Sequence, residues 1–359
     1  MNLHISTPSA HIYSFQGHLS GLGLTDNNKI VLRTETQDTR LPGAKLYTKD
    51  FDALVGDTAQ YDQVFIHQLS PMLYRWVAQH DFKKLNWMVW GADLYNLPGH
   101  EFDLFEPLTR SFVKKHQQTN DVLYQLKARA ANWLYQKRAL SKVDHILTWM
   151  DSEFQWAKEN LPVDHATHKH FFYQNKFSYE SVQSVSKDFE IKKNHTPVLV
   201  LGNSGTPSNN HLDMIDRIKA SGFEGELICP LSYGSDVYIR QIKSALEIPG
   251  CKVTFLDQYM PFEAYLKMLA ATDGLIMNTL RPQGYGNIFM MMVLGKKVFL
   301  NPLNPSNKDL TLMNLHYHTL DEIRNYSSNG FDANEPQAQQ VLNYFSTAQM
   351  QQVYNGLFA

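Results

Sequence analysis

Residues Pro197–His211, with the sequence PVLVLGNSGTPSNNH, determine how the second half of the chain folds. Val198–Leu201 is a short, continuous apolar run with β-branched residues, which predicts a strand buried on both faces. Gly202 and Gly205 bracket a tight polar turn after it, and residues 208–210 can cap the helix that follows. A strand, a glycine turn and a helix start present backbone N–H groups to an anion. This turn is therefore a candidate phosphate site, although an ordinary turn that binds nothing has the same pattern.

Strands and helices alternate through the rest of this half. Short apolar runs predict four more strands, at Glu226–Cys229, Lys252–Leu256, Gly274–Met277 and Lys297–Leu300. Residues with helical apolar spacing separate them, at 236–247, 262–271 and 288–294. Such alternation predicts an α/β fold with a parallel, doubly wound sheet.

Length and composition indicate two domains. At 359 residues the chain exceeds the size, about 250–300 residues, at which a single hydrophobic core stops growing. We predict a first domain over residues 1–180 and a second over residues 190–335, separated within the polar stretch 176–196. Residues 336–359 form a helical tail that can cross back to the first domain.

Charge and cysteine usage exclude several classes of protein. The net charge of −2 gives no general attraction for nucleic acid. Cys229 and Cys251 have no metal or redox spacing. The N-terminus lacks a signal pattern, and no run of about 18 apolar residues occurs, so we expect a soluble or peripheral protein rather than a membrane-spanning one.

One carboxylate in the first half follows a predicted buried strand. Strands are predicted at Asn2–Ser6, Lys29–Arg33, Tyr61–His67, Leu85–Trp90 and Val143–Thr148. Asp93 comes just after the strand Leu85–Trp90 and next to Gly91. Reactive groups of α/β proteins lie at the carboxyl ends of strands, so Asp93 is a candidate catalytic residue. A simple turn cap or helix cap accounts for it equally well.

The stretch 106–142 is predicted to be largely helical and basic. Val122, Leu126, Trp133 and Leu134 recur at helical spacing among several lysines and arginines. A basic amphipathic helix can lie on anionic lipid, whereas a solvated helix face over an ordinary core is the simpler interpretation.

Neither candidate metal motif is convincing from the sequence. Asp50-Phe51-Asp52 matches a D-x-D pattern but suits an acidic first helical turn better. His165, His168 and His170 have metal-like spacing, but their segment is polar and loop-like without an evident fourth ligand. We therefore expect no metal.

A second candidate anion site precedes the helix at 288–294. Residues 281–287, with the sequence RPQGYGN, combine glycines, a helix start and the Arg281 guanidinium, which can bind phosphate oxygens bidentately. This turn and Gly202–Gly205 both follow parallel strands, so both lie at one edge of the sheet and together suit a diphosphate. Tyr233, on a loop at the same edge, can stack on a base, or it is simply an exposed loop tyrosine.

Four motifs in this order resemble one known family. They are Trp90–Tyr95 (WGADLY), Gly202–Gly205 with residues 208–211 (SNNH), Pro230–Tyr233 (PLSY), and Glu263–Leu266 through Gly286. Together they resemble the TDP-Fuc4NAc:lipid II Fuc4NAc transferases, glycosyltransferase family 56, over residues from about 60 to 310. The resemblance implies a GT-B fold of two Rossmann-like domains with an interdomain cleft. It also implies a nucleotide-diphosphate sugar donor held by the second domain, an acceptor held by the first, and no metal.

The family acts in enterobacterial common antigen synthesis, on an undecaprenyl-diphosphate-linked saccharide. The resemblance therefore implies peripheral attachment to the cytoplasmic face of the bacterial inner membrane. The residues at 111–135, the N-terminal 60 residues and the tail depart from the family pattern. The donor sugar, the nucleotide base and the stereochemical outcome stay open, and the alternative is a related O-antigen or capsule transferase with another nucleotide-sugar donor.

Roles for the candidate residues follow from this hypothesis. Arg281 and Asp93 are the expected catalytic residues, one neutralising the leaving nucleotide and the other acting as general base or acceptor clamp. The expected donor-binding residues are Gly202, Asn203, Ser204, Gly205, Tyr233, Gln283, Gly284, Gly286 and Asn287. Two rival functions remain: a GT-B sugar-nucleotide epimerase, which needs no lipid, and a non-catalytic nucleotide-binding protein, which does not need Asp93.

Overall fold

The computed structural model describes residues 1–35, 40–97, 99–100, 103–117, 119–173, 177–186, 196–325 and 337–359. The predicted domain limits at residues 190, 335 and 336 lie outside the described residues. The chain divides into two compact units. The first unit is Met1–Glu101, Gln118–Lys176 and Ala348–Ala359, and the second is Phe102–Gln117 and Phe177–Thr347.

The first unit is built on a parallel sheet. In the described residues this sheet has seven strands: β1 Asn2–Ser6, β2 Asn28–Arg33, β3 Gly43–Ala44, β4 Gln63–His67, β5 Leu85–Met88, β6 His145–Thr148 and β7 Thr167–His170. Their order is β3-β2-β1-β4-β5-β6-β7. The order reverses between β1 and β4, which is a topological switch point.

Helices join these strands. They are α1 Ala10–Gly21, α2 Lys49–Val55, α3 Pro71–Gln79, α4 Ala92–Tyr95, α6 Thr119–Leu140 and α7 Asp151–Asn160. The central strands are fully buried, with Leu3, Val31 and Val64 each 0% exposed. Burial on both faces accounts for the continuous apolar runs from which the strands were predicted.

The second unit has a parallel sheet of its own. Its strands, within the described residues, are β8 Val198–Leu201, β9 Gly225–Pro230, β10 Cys251–Leu256, β11 Gly274–Met277, β12 Lys297–Leu300 and β13 His318–Thr319. The order is β10-β9-β8-β11-β12-β13, so the switch point lies between β8 and β11. The helices are α5 Pro107–Lys115, α8 Tyr179–Ser186, α9 His211–Ser221, α10 Asp236–Ala245, α11 Phe262–Ala270, α12 Tyr285–Val293, α13 Ser306–Leu312 and α14 Ala338–Phe345, and α15 Thr347–Phe358 lies almost wholly in the first unit.

The predicted α/β fold class is confirmed, because both sheets are parallel and alternate with helices. Two details of the sequence analysis differ. The polar segment around His168 is an edge strand, and Lys297–Leu300 is not the last strand, because β13 pairs with it.

Helix α5 belongs to the second unit, whereas the sequence analysis assigned it to the first domain. Asp213 caps it: its carboxylate accepts from the backbone N–H groups of Leu108 at 2.8 Å and Thr109 at 2.9 Å. The buried Glu106 carboxylate forms an ion pair with Arg217 and accepts from Asn278 and Asn301. These contacts are made through side chains distant in sequence, so no local pattern reveals them.

The C-terminal helix packs in the first unit. The backbone carbonyl of Phe358 accepts from Asn28 Nδ2 at 2.8 Å. Tyr354 and Phe358 are fully buried and their rings pack against Phe15. The end of the chain therefore completes the core beneath the first sheet.

Candidate functional site

In the second unit, the two glycine turns predicted to bind an anion meet at the switch point. The turn Gly202–Gly205 follows β8, and the loop ending at Gly284 follows the neighbouring strand β11. Gln283 joins them, because its Nε2 donates to Asn203 Oδ1 at 3.3 Å and its Oε1 accepts from Ser208 Oγ at 2.7 Å. The crevice outside the strand ends at a switch point is where open α/β sheets bind ligands.

Gly202 is required by its backbone and by its neighbour. Its φ of +72° is one that residues with a Cβ rarely adopt. A Cβ there would also lie 2.6 Å from Nε2 of His211, the first residue of α9. The His211 ring is fully buried, and this burial lowers its pKa to about 3. The ring that packs against the turn is therefore uncharged.

Most backbone N–H groups of the first turn already have acceptors. Gly202 donates to the carbonyl of Ile276 at 2.8 Å, Asn203 to Asn209 Oδ1 at 3.2 Å, and Gly205 to the carbonyl of Tyr233 at 2.8 Å. The predicted role of Gly202–Gly205 as a set of N–H donors to a diphosphate therefore does not fit three of its four residues. The turn instead offers a ligand its shape and the side chains of Asn203 and Ser204.

Gly205 ties this turn to the loop that carries Tyr233. Gly205 and Gly234 form a parallel bridge, and the Ser235 N–H donates to the Gly205 carbonyl at 3.1 Å. A Cβ on Gly234 would lie 2.3 Å from the Gly205 carbonyl carbon, so this approach needs glycine. The bridge places Tyr233, whose side chain is 59% exposed, beside the turn.

The second turn opens helix α12. Gly284 is its N-cap with φ of +73°, and a Cβ on Gly284 would approach Asn203 Nδ2 to 3.2 Å. Gly286 is in the first turn of α12, where backbone N–H groups have no acceptor within the helix. Asn287 uses its own N–H on the Gly284 carbonyl, and its side chain hydrogen-bonds the hydroxyl of Tyr265. This helix start is thus the stronger candidate of the two turns for binding an anion.

Arg281 lies three residues before that helix start. Its backbone carbonyl accepts from Nδ2 of the buried Asn304 at 3.0 Å, and its own Nη1 donates to the carbonyl of Pro282 at 3.3 Å. Asn304 also donates to Thr279, so the whole loop is held in shape. The guanidinium belongs to the same loop as Gly284, as the sequence analysis required for a phosphate contact.

Asp93, in the first unit, is not exposed. Only 3% of the residue is accessible, and both carboxylate oxygens accept hydrogen bonds, one from Trp87 Nε1 at 2.6 Å and one from the Trp90 N–H at 2.9 Å. Burial raises the pKa of this carboxyl above its ordinary value. In this structure Asp93 is buried and bonded within its own turn, which does not favour its predicted role as general base or acceptor clamp. It orders the turn between β5 and α4.

The first switch point, between β1 and β4, has a different titratable group. His11 lies in the first turn of α1, directly after β1, and is exposed. Its ring packs against those of Trp90 and Tyr173, with both centroids at 5.5 Å. This partial desolvation lowers the pKa of His11, so the ring is neutral at pH 7 and can accept a proton. His11 was not among the residues predicted from the sequence; the available signal was a histidine in the first turn of the first helix, after the first strand.

A hydrogen-bonded chain holds Trp90 and Tyr173 beside His11. Asn28 Nδ2 donates to two carbonyls, so its Oδ1 accepts from His4 Nε2 at 3.0 Å. His4 Nδ1 then accepts from His67 Nε2 at 3.0 Å, and His67 Nδ1 accepts from the Tyr173 hydroxyl. Trp90 Nε1 donates to the Tyr173 oxygen at 2.7 Å. Every proton in this chain is assigned by the network, so these rings are fixed supports.

The comparison with protein families is decisive. The model of the family described as 4-alpha-L-fucosyltransferase, glycosyl transferase group 56, matches residues 123–328. The chain belongs to glycosyltransferase group 56. The match begins within helix α6 and includes the six described strands of the second unit and both glycine turns, but not helices α5 and α14.

Solved structures confirm the GT-B fold of this group 56 glycosyltransferase. Sucrose-phosphate synthase from Thermosynechococcus elongatus is 11% identical with a TM-score of 0.63, covering 100% of this chain and 99% of its own. The Anabaena protein HepE, solved in complex with UDP-glucose, is 12% identical with a TM-score of 0.58, covering 99% of both chains. The lipopolysaccharide glycosyltransferase WaaG is 10% identical with a TM-score of 0.55, covering 99% of this chain and 98% of its own. At these identities the likeness concerns the fold.

Helix α6 of the transferase presents apolar side chains to solvent. Val122, Leu126, Trp133 and Leu134 are 43%, 57%, 86% and 54% exposed, so they are not core residues. Val122, Leu126 and Trp133, at spacings of four and seven, share one face of the helix. Lys127, Lys137 and Arg138 are exposed on the same helix. Among the described residues, no helix is both long enough and apolar enough to span a bilayer.

Proposed function

We propose that this glycosyltransferase moves a Fuc4NAc-type deoxyamino sugar from a TDP-sugar to an undecaprenyl-diphosphate-linked saccharide, in the synthesis of an enterobacterial common antigen-like polysaccharide. The observation that carries the proposal is the match to group 56 over a unit whose two glycine turns meet at a switch point. HepE, which has the same fold, was solved with UDP-glucose, and this supports a nucleotide-sugar donor.

The second unit is the proposed donor site. The start of helix α12, at Gly284 and Gly286, takes the diphosphate through backbone N–H groups and the helix dipole. Asn287 supports this helix start, since its own N–H donates to the Gly284 carbonyl and its side chain bonds the Tyr265 hydroxyl. Arg281 neutralises the charge that develops on the leaving nucleotide, in place of a metal ion. The donor also contacts the neighbouring turn, which presents the hydrogen-bonded side chains of Asn203, Ser204 and Gln283. Gly202 and Gly205 give this turn its backbone conformation. Tyr233 is exposed beside that turn and stacks on the base.

The first unit is the proposed acceptor site, and His11 is the proposed base. Inversion at the anomeric carbon requires removal of a proton from the acceptor hydroxyl. His11 is exposed, neutral at pH 7 and located at the switch point of its sheet, whereas both oxygens of Asp93 are occupied. We therefore assign proton removal to His11, and assign Asp93 the positioning of Trp90 beside it.

The acceptor is anchored in lipid, so we further propose that the enzyme is peripheral at the cytoplasmic face of the inner membrane. The exposed apolar face of α6 and its flanking basic side chains suit an anionic surface.

A transfer assay with a short-chain polyprenyl-diphosphate saccharide tests the function. We expect TDP-Fuc4NAc, and not UDP or GDP sugars, to yield an acceptor heavier by one deoxyamino sugar, detected by mass spectrometry. Thermal-shift measurements with TDP, UDP and GDP determine independently which nucleotide the enzyme prefers, since stabilisation grows as RT ln(1 + [L]/Kd). Conversion of the sugar nucleotide without any acceptor would instead identify an epimerase, and binding without turnover a nucleotide-binding protein.

A further inference from the structure

Three potential metal ligands converge at the edge of the first unit's sheet. Asp151 Oδ1 lies 2.9 Å from His168 Nδ1 and 3.5 Å from His170 Nε2. All the ligand atoms lie within 4.8 Å of one another, and this is the group of histidine, cysteine and acidic side chains that the described residues bring close enough to share an ion.

The topology of the sheet explains the convergence. His168 and His170 are two residues apart on the edge strand β7, so they point to the same face. Asp151 opens helix α7 directly after β6, the only strand paired with β7 in the described sheet. His165, which the sequence analysis grouped with the two histidines, lies outside this group, and Asp151 takes its place.

Hydrogen bonds fix which nitrogen of His168 carries a proton. The Thr148 hydroxyl donates its single hydrogen to the carbonyl of Met150 at 2.7 Å. The same hydroxyl oxygen lies 2.7 Å from His168 Nε2, so it accepts the proton of that nitrogen. Neutral His168 therefore directs its Nδ1 lone pair at the Asp151 carboxylate. Two acceptors 2.9 Å apart require a cation between them, which is either a second proton on His168 or a metal ion.

The geometry and donor types fit a metal ion. Two ligand atoms that are each about 2.1 Å from one ion lie roughly 3.0 Å apart at a right angle and roughly 3.4 Å apart at the tetrahedral angle. The separations of Asp151 Oδ1 from His168 Nδ1 and from His170 Nε2, 2.9 and 3.5 Å, match these values. Two imidazoles and a carboxylate suit Zn²⁺ and similar transition ions, whereas Mg²⁺ and Ca²⁺ prefer oxygen ligands.

Outer contacts complete the arrangement. Thr148 orients the His168 ring from behind, as second-sphere partners of metal-bound histidines do. Phe154 stacks on the other side of the same ring, at 4.9 Å and 11°. Asp151 and His170 are 53% and 64% exposed, so an ion can enter and water can supply a further ligand.

We propose that Asp151, His168 and His170 form a Zn²⁺ site that fastens the edge strand β7 to the start of helix α7. Edge strands have unpaired backbone groups, and β7 pairs with β6 over only four residues. An ion bound to both elements stabilises this end of the sheet without taking part in sugar transfer. The inference is independent of the proposed donor and acceptor.

Metal titration tests the site directly. Untagged protein is stripped with EDTA, desalted and titrated with Zn²⁺ by calorimetry, and with Co²⁺ by visible absorption. We expect one strong equivalent of Zn²⁺, a Co²⁺ spectrum of a nitrogen and oxygen site that Zn²⁺ abolishes, and a thermal midpoint that rises with Zn²⁺ but not with Mg²⁺. Absence of Zn²⁺ binding at micromolar concentrations would leave a protonated His168 paired with Asp151 and overturn the proposal.

Variants localise the ion. His170→Ala and Asp151→Asn each remove a ligand at an exposed position, and Thr148→Val removes only the outer contact. Each should weaken Zn²⁺ binding by at least about tenfold. His165→Ala, an exposed histidine on the same segment, is the matched control and should bind as the wild type does. Circular dichroism of the metal-free variants verifies folding. Equal Zn²⁺ affinity in His170→Ala and in wild type would place the ion elsewhere and refute the site.

Discussion

The glycines of the second unit show how single residues shape the candidate donor site. Gly202 is demanded both by its φ and by the His211 ring beneath it, and Gly234 by the backbone of Gly205. Gly284 is demanded by the helix start it caps and by the closeness of Asn203. A side chain at any of these positions would collide with a neighbouring group or strain the backbone, so the shape of the two turns depends on small residues rather than on reactive ones.

Replacing Arg281 by alanine should cripple transfer and leave the fold intact. The guanidinium is in the loop that leads to the α12 start, where a diphosphate leaving group needs a counter-charge. Loss of one transition-state charge contact typically costs about 3 kcal/mol, or roughly a hundredfold in kcat. Arg240→Ala, an exposed arginine on helix α10, is the control and should keep full activity. Near wild-type turnover in Arg281→Ala would show that the leaving group is neutralised by another residue.

His11 should determine the pH dependence of transfer. Its pKa lies below the ordinary value of 6.5 because of desolvation, and a base acts only when unprotonated. The wild-type kcat/KM should therefore be level near pH 7 and fall as the pH drops below 6.5 through the pKa of His11. His11→Asn should lower the rate at pH 7 by about 100- to 10,000-fold and remove this acid limb.

Two comparison variants separate the base from its surroundings. His18→Asn changes another histidine of helix α1 and should keep both rate and pH profile. In Asp93→Asn the new side-chain NH₂ group faces an N–H donor of Trp87 or Trp90 and cannot accept its hydrogen bond. This variant should therefore have a lower thermal midpoint but should keep the fall in kcat/KM at acid pH. An unchanged acid limb in His11→Asn would exclude His11 as the base.

The residues of the candidate site could be predicted only in part. Motifs located both turns, because glycine, asparagine and helix-start chemistry are local. The acceptors of the backbone N–H groups in the first turn could not be predicted. Gly202 donates to the carbonyl of Ile276 and Gly205 to that of Tyr233, and both acceptors are distant in sequence. The burial of Asp93 and its hydrogen bonds depend on the fold of the turn around it in the same way.

At the scale of elements, buried strands were the most predictable. Gly274–Met277 and Lys297–Leu300 have the predicted bounds, because strands buried on both faces are continuous apolar runs. The edge strand β7, with the sequence THKH, lacks that signal and was predicted as a loop. The strand was not predicted because its side chains are polar, and two of them, His168 and His170, belong to the proposed metal site.

Helix α6 should dock the enzyme on anionic membrane. Its exposed apolar face can enter the interface while Lys127, Lys137 and Arg138 contact headgroups. Reversing these three charges to glutamate should weaken vesicle binding on the order of 100-fold, at about 1 kcal/mol per basic residue. Wild-type binding, measured by sedimentation with anionic liposomes, should also fall as salt rises.

A charge-matched control isolates the helix. Lys49→Glu, Lys267→Glu and Lys308→Glu reverse three exposed lysines elsewhere and should leave binding nearly unchanged. A short soluble acceptor should still be glycosylated by the α6 variant, because the change concerns docking and not chemistry. Equal vesicle binding by the α6 variant and the wild type would refute this surface.

At the scale of the whole molecule, sequence predicted two parallel sheets and the family. It also predicted a helical tail that can cross back to the first domain, but it did not predict that helix α5 would join the second unit. Helix α5 joins the second unit because Asp213 and Glu106 hold it there, and Phe358 returns to the first unit through Asn28. Such exchanges depend on contacts between distant residues, which alternation of strands and helices does not encode.

Chelation should separate the chemistry of the molecule from its stability. The proposed transfer uses Arg281 and the α12 helix start in place of a metal, and Asp50 and Asp52 lie in the first turn of helix α2 rather than in a ligand set. The proposed Zn²⁺ site, in contrast, fastens a strand edge. EDTA should therefore lower the thermal midpoint of Zn²⁺-loaded protein while turnover at moderate temperature stays within about twofold of the untreated enzyme. His170→Ala should show the same turnover and no response of its midpoint to EDTA. Loss of turnover in EDTA that Mg²⁺ or Mn²⁺ restores, in wild type and in His170→Ala alike, would refute metal-free transfer without affecting the Zn²⁺ site.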